Sequence, residues 1–144
     1  TVFENDSVRV LEAGQVKGYF REKHGTHLLC DGHFESMKMH WPGEDTSWYF
    51  MNLLTRGKHA SLYRIWMLFN KHPRAFYFIR LKGEKIPFFT RYISKRKKLK
   101  ELLIDEDTRE GMMQLFEENK KVDYERAVKK YNQLKDEAAA GTEK

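Results

Sequence analysis

The sequence predicts an α+β fold: an antiparallel sheet drawn from roughly the first hundred residues with one intervening helix, followed by two or three C-terminal helices packed on it. Three observations lead there. Short runs rich in aromatic and β-branched residues, separated by Asn-Asp, Gly and Pro-Gly signals, fill the first part of the chain. One stretch among them, residues 60–71, carries apolar residues at helical spacing, and beyond residue 100 that spacing is helical throughout. At 144 residues the chain fits one domain, 1–144, whose residues 138–144 read as a fraying tail.

The first strand is read from the alternation at Val8 and Val10, after the turn signal Asn5-Asp6-Ser7. A turn at Ala13-Gly14-Gln15 leads into a second run with Val16, Tyr19 and Phe20 around Gly18, where a bulge or a close backbone approach is expected. Asp31-Gly32 reads as a hairpin turn joining residues 26–30 to 33–41, with Met37, Met39 and Trp41 on one face and a polar face opposite. After the loop at Pro42-Gly43-Glu44-Asp45-Thr46, residues 48–54 restore an apolar run that pairs with the preceding strand. Leu62, Ile65, Trp66 and Phe69 then keep one helical face, stopped at 70–73; a buried strand is the competing reading.

Residues 74–100, RAFYFIRLKGEKIPFFTRYISKRKKLK, hold the most distinctive pattern. Two aromatic runs flank Lys82-Gly83-Glu84-Lys85, which can close them into a hairpin with Gly83 supplying a positive φ. Pro87 cannot donate to a ladder and marks an edge or a bulge. Lys95, Arg96, Lys97, Lys98 and Lys100 follow Ser94, a good N-cap, and surround Leu99, Leu102 and Leu103 at helical spacing. Cations in a first turn oppose the helix dipole, each at about 0.3 to 1 kcal/mol, so a compensating negative partner is expected. Further on, Asp107 with Glu110 suggests a capping box ahead of Met112, Leu115 and Phe116, and Tyr124, Ala127, Val128, Tyr131 and Leu134 line a last helix.

Net charge is +6, and its distribution is uneven. Residues 1–57 carry 6 Lys and Arg against 8 Asp and Glu, residues 58–100 carry 13 against 1, and residues 101–144 carry 8 against 12. A cationic block between mildly acidic flanks points to an anionic partner, because a surface built for solubility intersperses both signs. Nucleic acid is the expected partner, with Lys95, Arg96, Lys97, Lys98 and Lys100 on phosphates and Arg80, Arg91, Tyr77, Phe88 and Tyr92 available for bases. Single-stranded DNA or RNA ranks ahead of sequence-specific duplex, since aromatics suit splayed bases and no isolated recognition helix is evident. An acidic protein bound by the basic face, in an inhibitor or assembly factor, is one alternative, and a homodimer through the C-terminal helices is a further expectation. A membrane partner is not expected, because no amphipathic segment opposes cations to bulky apolar residues over a useful length.

Chemistry centres on one cluster. His24, His27, Cys30 and His33 recur at intervals of three, and zinc ligands are drawn from imidazole and thiolate. Asp31, His33, Glu35 and His40 offer the acids and bases of a metal-dependent hydrolase or nuclease. The spacing is not that of paired zinc knuckles, and no HExxH, phosphate-cradling glycine loop or GxSxG elbow is present, so binding ranks above catalysis and no cofactor is expected. A single cysteine allows no internal disulfide, and no run reaches the length of a membrane span; both favour an intracellular protein, cytoplasmic or at the nucleoid or nucleus.

Residues 48–53, WYFMNL, resemble the first short motif of RNA-recognition domains, and residues 74–81, RAFYFIRL, resemble the second, with Tyr49, Phe76 and Phe78 at the stacking positions. Ala75 stands where the motif has glycine and Tyr77 where it has a small residue. The resemblance implies that these three aromatics stack on bases.

Overall fold

The computed structural model describes residues 2–4, 7–9, 12–15, 17–21, 32–39, 47–85, 87–89 and 95–142. The fold is α+β, and the chain divides into two compact units, Thr1–Leu53 and Leu54–Lys144.

In the first unit, β1 (Val2–Glu4) and β2 (Ser7–Arg9) pair antiparallel, so the single strand expected near Val8 is one arm of a two-stranded ribbon. A turn follows in which the Gln15 N–H donates to Glu12 O at 3.1 Å and the Glu12 N–H donates to Gln15 Oε1 at 2.7 Å. Gly14 sits there at φ 97 with Trp48 against it: a Cβ would lie 2.8 Å from the indole Cγ. β3 (Gly18–Arg21) pairs with β4 (Gly32–Met39), and β4 pairs with β5 (Ser47–Thr55). The close approach expected at Gly18 is present, since a Cβ would stand 2.1 Å from Phe34 O. β4's partner differs from the expectation. Gly32 pairs with Arg21, so the strand returns on residues 18–21, and residues 26–30 lie outside the described residues. Met37 and Met39 are buried and Lys38 is exposed, as the alternation requires.

In the second unit, residues 60–69 form a strand, β6 (Ala60–Phe69), where a helix was expected. The apolar stripe fits a helix, but Tyr63, Ile65 and Trp66 favour extended backbone, and each of the 10 residues of β6 finds a partner in β7 (His72–Leu81). Asn70 and Lys71, read as a helix stop, are the two-residue turn of this hairpin, at φ 49 and 66. Pro73 fits because it faces Leu68 in a position whose N–H side points away from β6, toward an edge that β8 (Phe88–Phe89) does not reach. β8 pairs at Phe78 and Ile79, and the turn between is marked by the Glu84 N–H donating to Leu81 O at 3.0 Å with Gly83 at φ 88.

Three helices follow: α1 (Lys95–Leu103), α2 (Arg109–Glu118) and α3 (Tyr124–Thr142). The expected N-cap Ser94 lies outside the described residues. The apolar faces of all three helices close on one face of the β6–β7 ribbon: Ala60, Leu62 and Ile79 meet Leu99, Leu103, Met112, Phe116, Ala127 and Val128, all buried. Burying each of the Leu, Ile, Met, Val and Phe side chains among them contributes about 1.5 to 3 kcal/mol. The stripes of α2 and α3 that left dimerisation open are thus packed within this core. α3 runs through Ala138, Ala139 and Ala140, where a tail was expected to fray, and alanine's helix propensity explains it.

Two polar devices set the geometry. The Asn132 amide on α3 accepts the N–H groups of His59 and Ala60 at Oδ1, at 2.8 and 3.0 Å, and donates through Nδ2 to Ala60 O at 2.8 Å and Val128 O at 3.0 Å. Gly57 makes room for it, since a Cβ there would lie 2.1 Å from Nδ2. At the α1–α2 junction, Asp105 Oδ1 accepts the N–H groups of Asp107 and Thr108 at 3.0 and 3.1 Å, while the buried Thr108 hydroxyl donates to Leu103 O at 2.7 Å. This corrects the capping box read at Asp107 and Glu110: Thr108 is the N-cap of α2, and its hydroxyl turns back to α1. Lys135 of α3 completes the junction, 3.2 Å from Asp105 and 2.9 Å from Asp107, and the Tyr131 hydroxyl donates to Asp105 Oδ2 at 3.2 Å.

Replacing Asn132 by Ala leaves two amide N–H groups at the start of β6 without their acceptor. A loss of roughly 1 to 3 kcal/mol is expected by urea denaturation; a change within about 0.5 kcal/mol would show the amide to be incidental. The junction also sets a pH dependence. Burial pushes the Asp105 carboxyl up, but the Lys135 hydrogen bond and charge, with Thr108, outweigh it and hold it below its ordinary value. The hydrogen bond that Lys135 donates to Asp107, opposed by burial and supported by Asp105, raises Lys135 to about 12. The carboxylate's contribution is therefore present above the ordinary carboxylate range and lost as pH falls through the lowered value. The ammonium's is complete below 10.5 and lost as pH rises through about 12. Urea midpoints measured against pH should fall at both extremes, and Lys135→Met should flatten both limbs; solvent access to Asp107 keeps the effect modest.

Candidate nucleic-acid interface

The cations of α1 have an unexpected partner. Arg96 donates from Nη2 to Phe116 O, a carbonyl in the last turn of α2, and Lys100 sits one turn further along α1 with its ammonium 5.8 Å from the centre of the Phe116 ring. A helix C-terminus carries unsatisfied carbonyls and partial negative charge, so the guanidinium caps α2 and gains from its dipole. The negative partner that the crowded first turn of α1 requires is in part another helix of the same unit. Arg96 and Lys100, expected on phosphates, therefore have structural employment. Lys97 is exposed and Lys98 half-buried on the same helix, and Lys95 is its first residue.

The residues expected at bases are also engaged. Arg80 donates to the Tyr63 hydroxyl at 2.7 Å and holds its guanidinium 5.3 Å from that ring's centre, so it satisfies a buried tyrosine. Tyr77 stacks on Tyr124 of α3 at 4.9 Å between ring centres, 30° from parallel. Phe76 and Phe78 are buried, at 3% and 0% exposure, on the face of β7 away from the helices, which corrects the stacking role that the RNA-recognition resemblance implied. Tyr49 is half-buried on β5. β8 includes Phe88, while Arg91 and Tyr92 lie outside the described residues.

What the second unit does present is a set of cations at the two ends of the β6–β7 ribbon. At the base, the Lys82 N–H donates to His59 O at 2.8 Å, which brings the turn bearing Lys58 beside the turn bearing Lys82 and Lys85; all three lysines are exposed. At the tip, Lys71, His72 and Arg74 are exposed around the two-residue turn. Ten residues of strand place the two groups roughly 30 Å apart. Between Asp45 and Glu84 the sequence contains no acid. The helical spacing of 60–71 places Lys71 on a helix beside the cationic surface rather than at a hairpin tip; the turn-forming Asn70 between two extended runs is the signal for the tip.

The histidine and acid cluster is only partly described. His24, His27, Cys30, Asp31 and His40 lie outside the described residues. His33 and Glu35 share one face of β4, His33 exposed and Glu35 half-buried. Among the described residues no three His, Cys, Asp or Glu side chains converge as a metal-binding group, and no helix is long and apolar enough to cross a membrane.

Comparison with known proteins gives no matching family model, no matching curated protein and no matching solved structure. The site is therefore read from its own residues. Arg96→Ala should lower stability by about 1 to 2 kcal/mol through loss of the charged cap on α2, whereas Lys97→Ala should stay within about 0.5 kcal/mol. Equal effects in thermal unfolding would contradict the assignment of Arg96 to α2.

Proposed function

We propose that this chain binds nucleic acid through phosphate contacts made by the cationic segment 58–100. The observation that carries the reading is the spread of exposed cations, Lys58, Lys82 and Lys85 at one end of a ribbon roughly 30 Å long and Lys71 with Arg74 at the other. One small anion would neutralise one end; an extended polyanion meets both, and releases counterions along its length. The reading differs from stacking recognition. Phe76 and Phe78 are buried and Tyr77 is stacked on Tyr124, so these aromatics give single strands no advantage, and backbone contact without base stacking is the mode proposed. An acidic protein offers the same sign of charge but not the regular spacing of phosphates, and competition separates the two.

Fluorescence anisotropy of a labelled duplex and a labelled single strand, titrated across a salt series, tests the proposal. With four to six phosphates contacted, log K against log salt should fall with a slope of about −3.5 to −5.5 on duplex. Replacing Lys58, Lys82 and Lys85 together by Ala should make that slope shallower by about 2 to 3. A chain that binds neither ligand at low salt does not have this function, and the search moves to acidic proteins.

A further inference from the structure

The tip of the β6–β7 hairpin combines three properties. Its turn is tight, two residues long, Asn70 and Lys71 both at positive φ between strands paired residue by residue. It presents Leu68 at 76% exposure directly opposite the exposed Pro73, two apolar side chains on one face of the ribbon. Exposed Lys71 lies in the turn and exposed His72 and Arg74 on the other face of the ribbon, within a stretch from 46 to 83 that holds no acid. Behind the tip on the same face lies Trp66, with the Arg64 guanidinium 5.4 Å from its ring centre; Arg64 Nε and Trp66 Nε1 have no acceptor among the described residues. Leu68 and Pro73 together leave apolar surface in water at the end of a cationic ribbon, and a ligand that covers them gains by burying it.

We infer that this tip enters the major groove of duplex DNA, with Lys71 and its neighbours on the flanking phosphates and the Leu68–Pro73 face against base edges and thymine methyl groups. The inference rests on the nucleic-acid reading above and names its ligand and its contact element. B-form DNA has a major groove about 12 Å wide, which admits a two-stranded ribbon. A-form RNA has a deep, narrow major groove that does not. Charge complementarity favours a polyanion. A lipid surface is the weaker occupant, because one leucine and one proline bury too little apolar area to hold a protein on a membrane.

The full chain, with Leu68→Ser, Lys71→Ala and the Lys58/Lys82/Lys85→Ala triple variant as comparison, is titrated with duplex DNA, duplex RNA of the same sequence, single-stranded DNA and phosphatidylcholine–phosphatidylserine vesicles. Circular dichroism melts confirm that the variants, at exposed positions, remain folded. Duplex DNA should bind about tenfold tighter than duplex RNA. Leu68→Ser should weaken duplex DNA binding about three- to tenfold with the salt slope unchanged, and Lys71→Ala should make the slope shallower by about 1. If the wild-type chain binds nucleic acid but duplex RNA equals duplex DNA, or both tip variants bind as the wild type does, the inference fails while the phosphate-binding function stands. Preference for vesicles over duplex DNA overturns it in favour of a lipid surface. Absence of binding to every nucleic acid overturns both.

Discussion

The second unit depends on a single side-chain amide. Asn132, on the face of α3 that meets the sheet, satisfies the amide groups of His59 and Ala60 as β6 begins, and returns a hydrogen bond to Ala60 O. Ala60 is 1% exposed, so its own N–H and C=O groups depend on that amide for their partners. Fixing the start of β6 fixes β7 through their shared register, and β7 then delivers Ile79 to the helical core and Tyr77 to the ring of Tyr124. The clamp and the apolar core formed by Ala60, Leu62 and Ile79 with the helices together hold the base of the ribbon, from which its cationic tip extends.

Charge in this chain has two uses that look alike in the sequence. Some cations neutralise the fold's own dipoles and rings: Arg96 at the C-terminus of α2, Lys100 beside Phe116, Arg80 over Tyr63, Lys135 between Asp105 and Asp107. Others, on the turns at the two ends of the ribbon, face solvent. The division is physical. A cation beside a helix C-terminus or an aromatic face is retained for folding, whereas the exposed cations on the ribbon's turns outnumber Glu84, the one acid of residues 46–85, and suit an anionic ligand. The proposed function therefore shifts from the densest run of lysines to the ribbon's ends.

Much of the fold was legible in the sequence because periodicity reports burial. Met37 and Met39 alternate with Lys38, Gly18 marks a close backbone approach, and Met112, Leu115, Phe116, Ala127, Val128 and Tyr131 trace the inner faces of their helices. Residues 60–69 misled because a strand covered on both faces need not alternate: Leu62 and Tyr63, adjacent in sequence, are both at 0% exposure, and a run buried on two sides matches a helical stripe by chance. The candidate interface was less legible still. That Arg96 reaches a carbonyl 20 residues away, or that Tyr77 is claimed by α3, is decided by tertiary packing and leaves no local signature. Exposed turn lysines, by contrast, could have been ranked higher from turn chemistry alone.

The most direct test of this division of charge is an amide NMR titration of the isotope-labelled full chain with duplex DNA at low salt. The account predicts perturbations at Leu68, Asn70, Lys71 and Arg74 around the tip and at Lys58 and Lys82 at the base, with Arg96, Phe116 and Asn132 unmoved. Perturbations centred on α1 and on the junction at Asp105 and Lys135, with the ribbon's ends unaffected, would contradict it and return the interface to the lysine run.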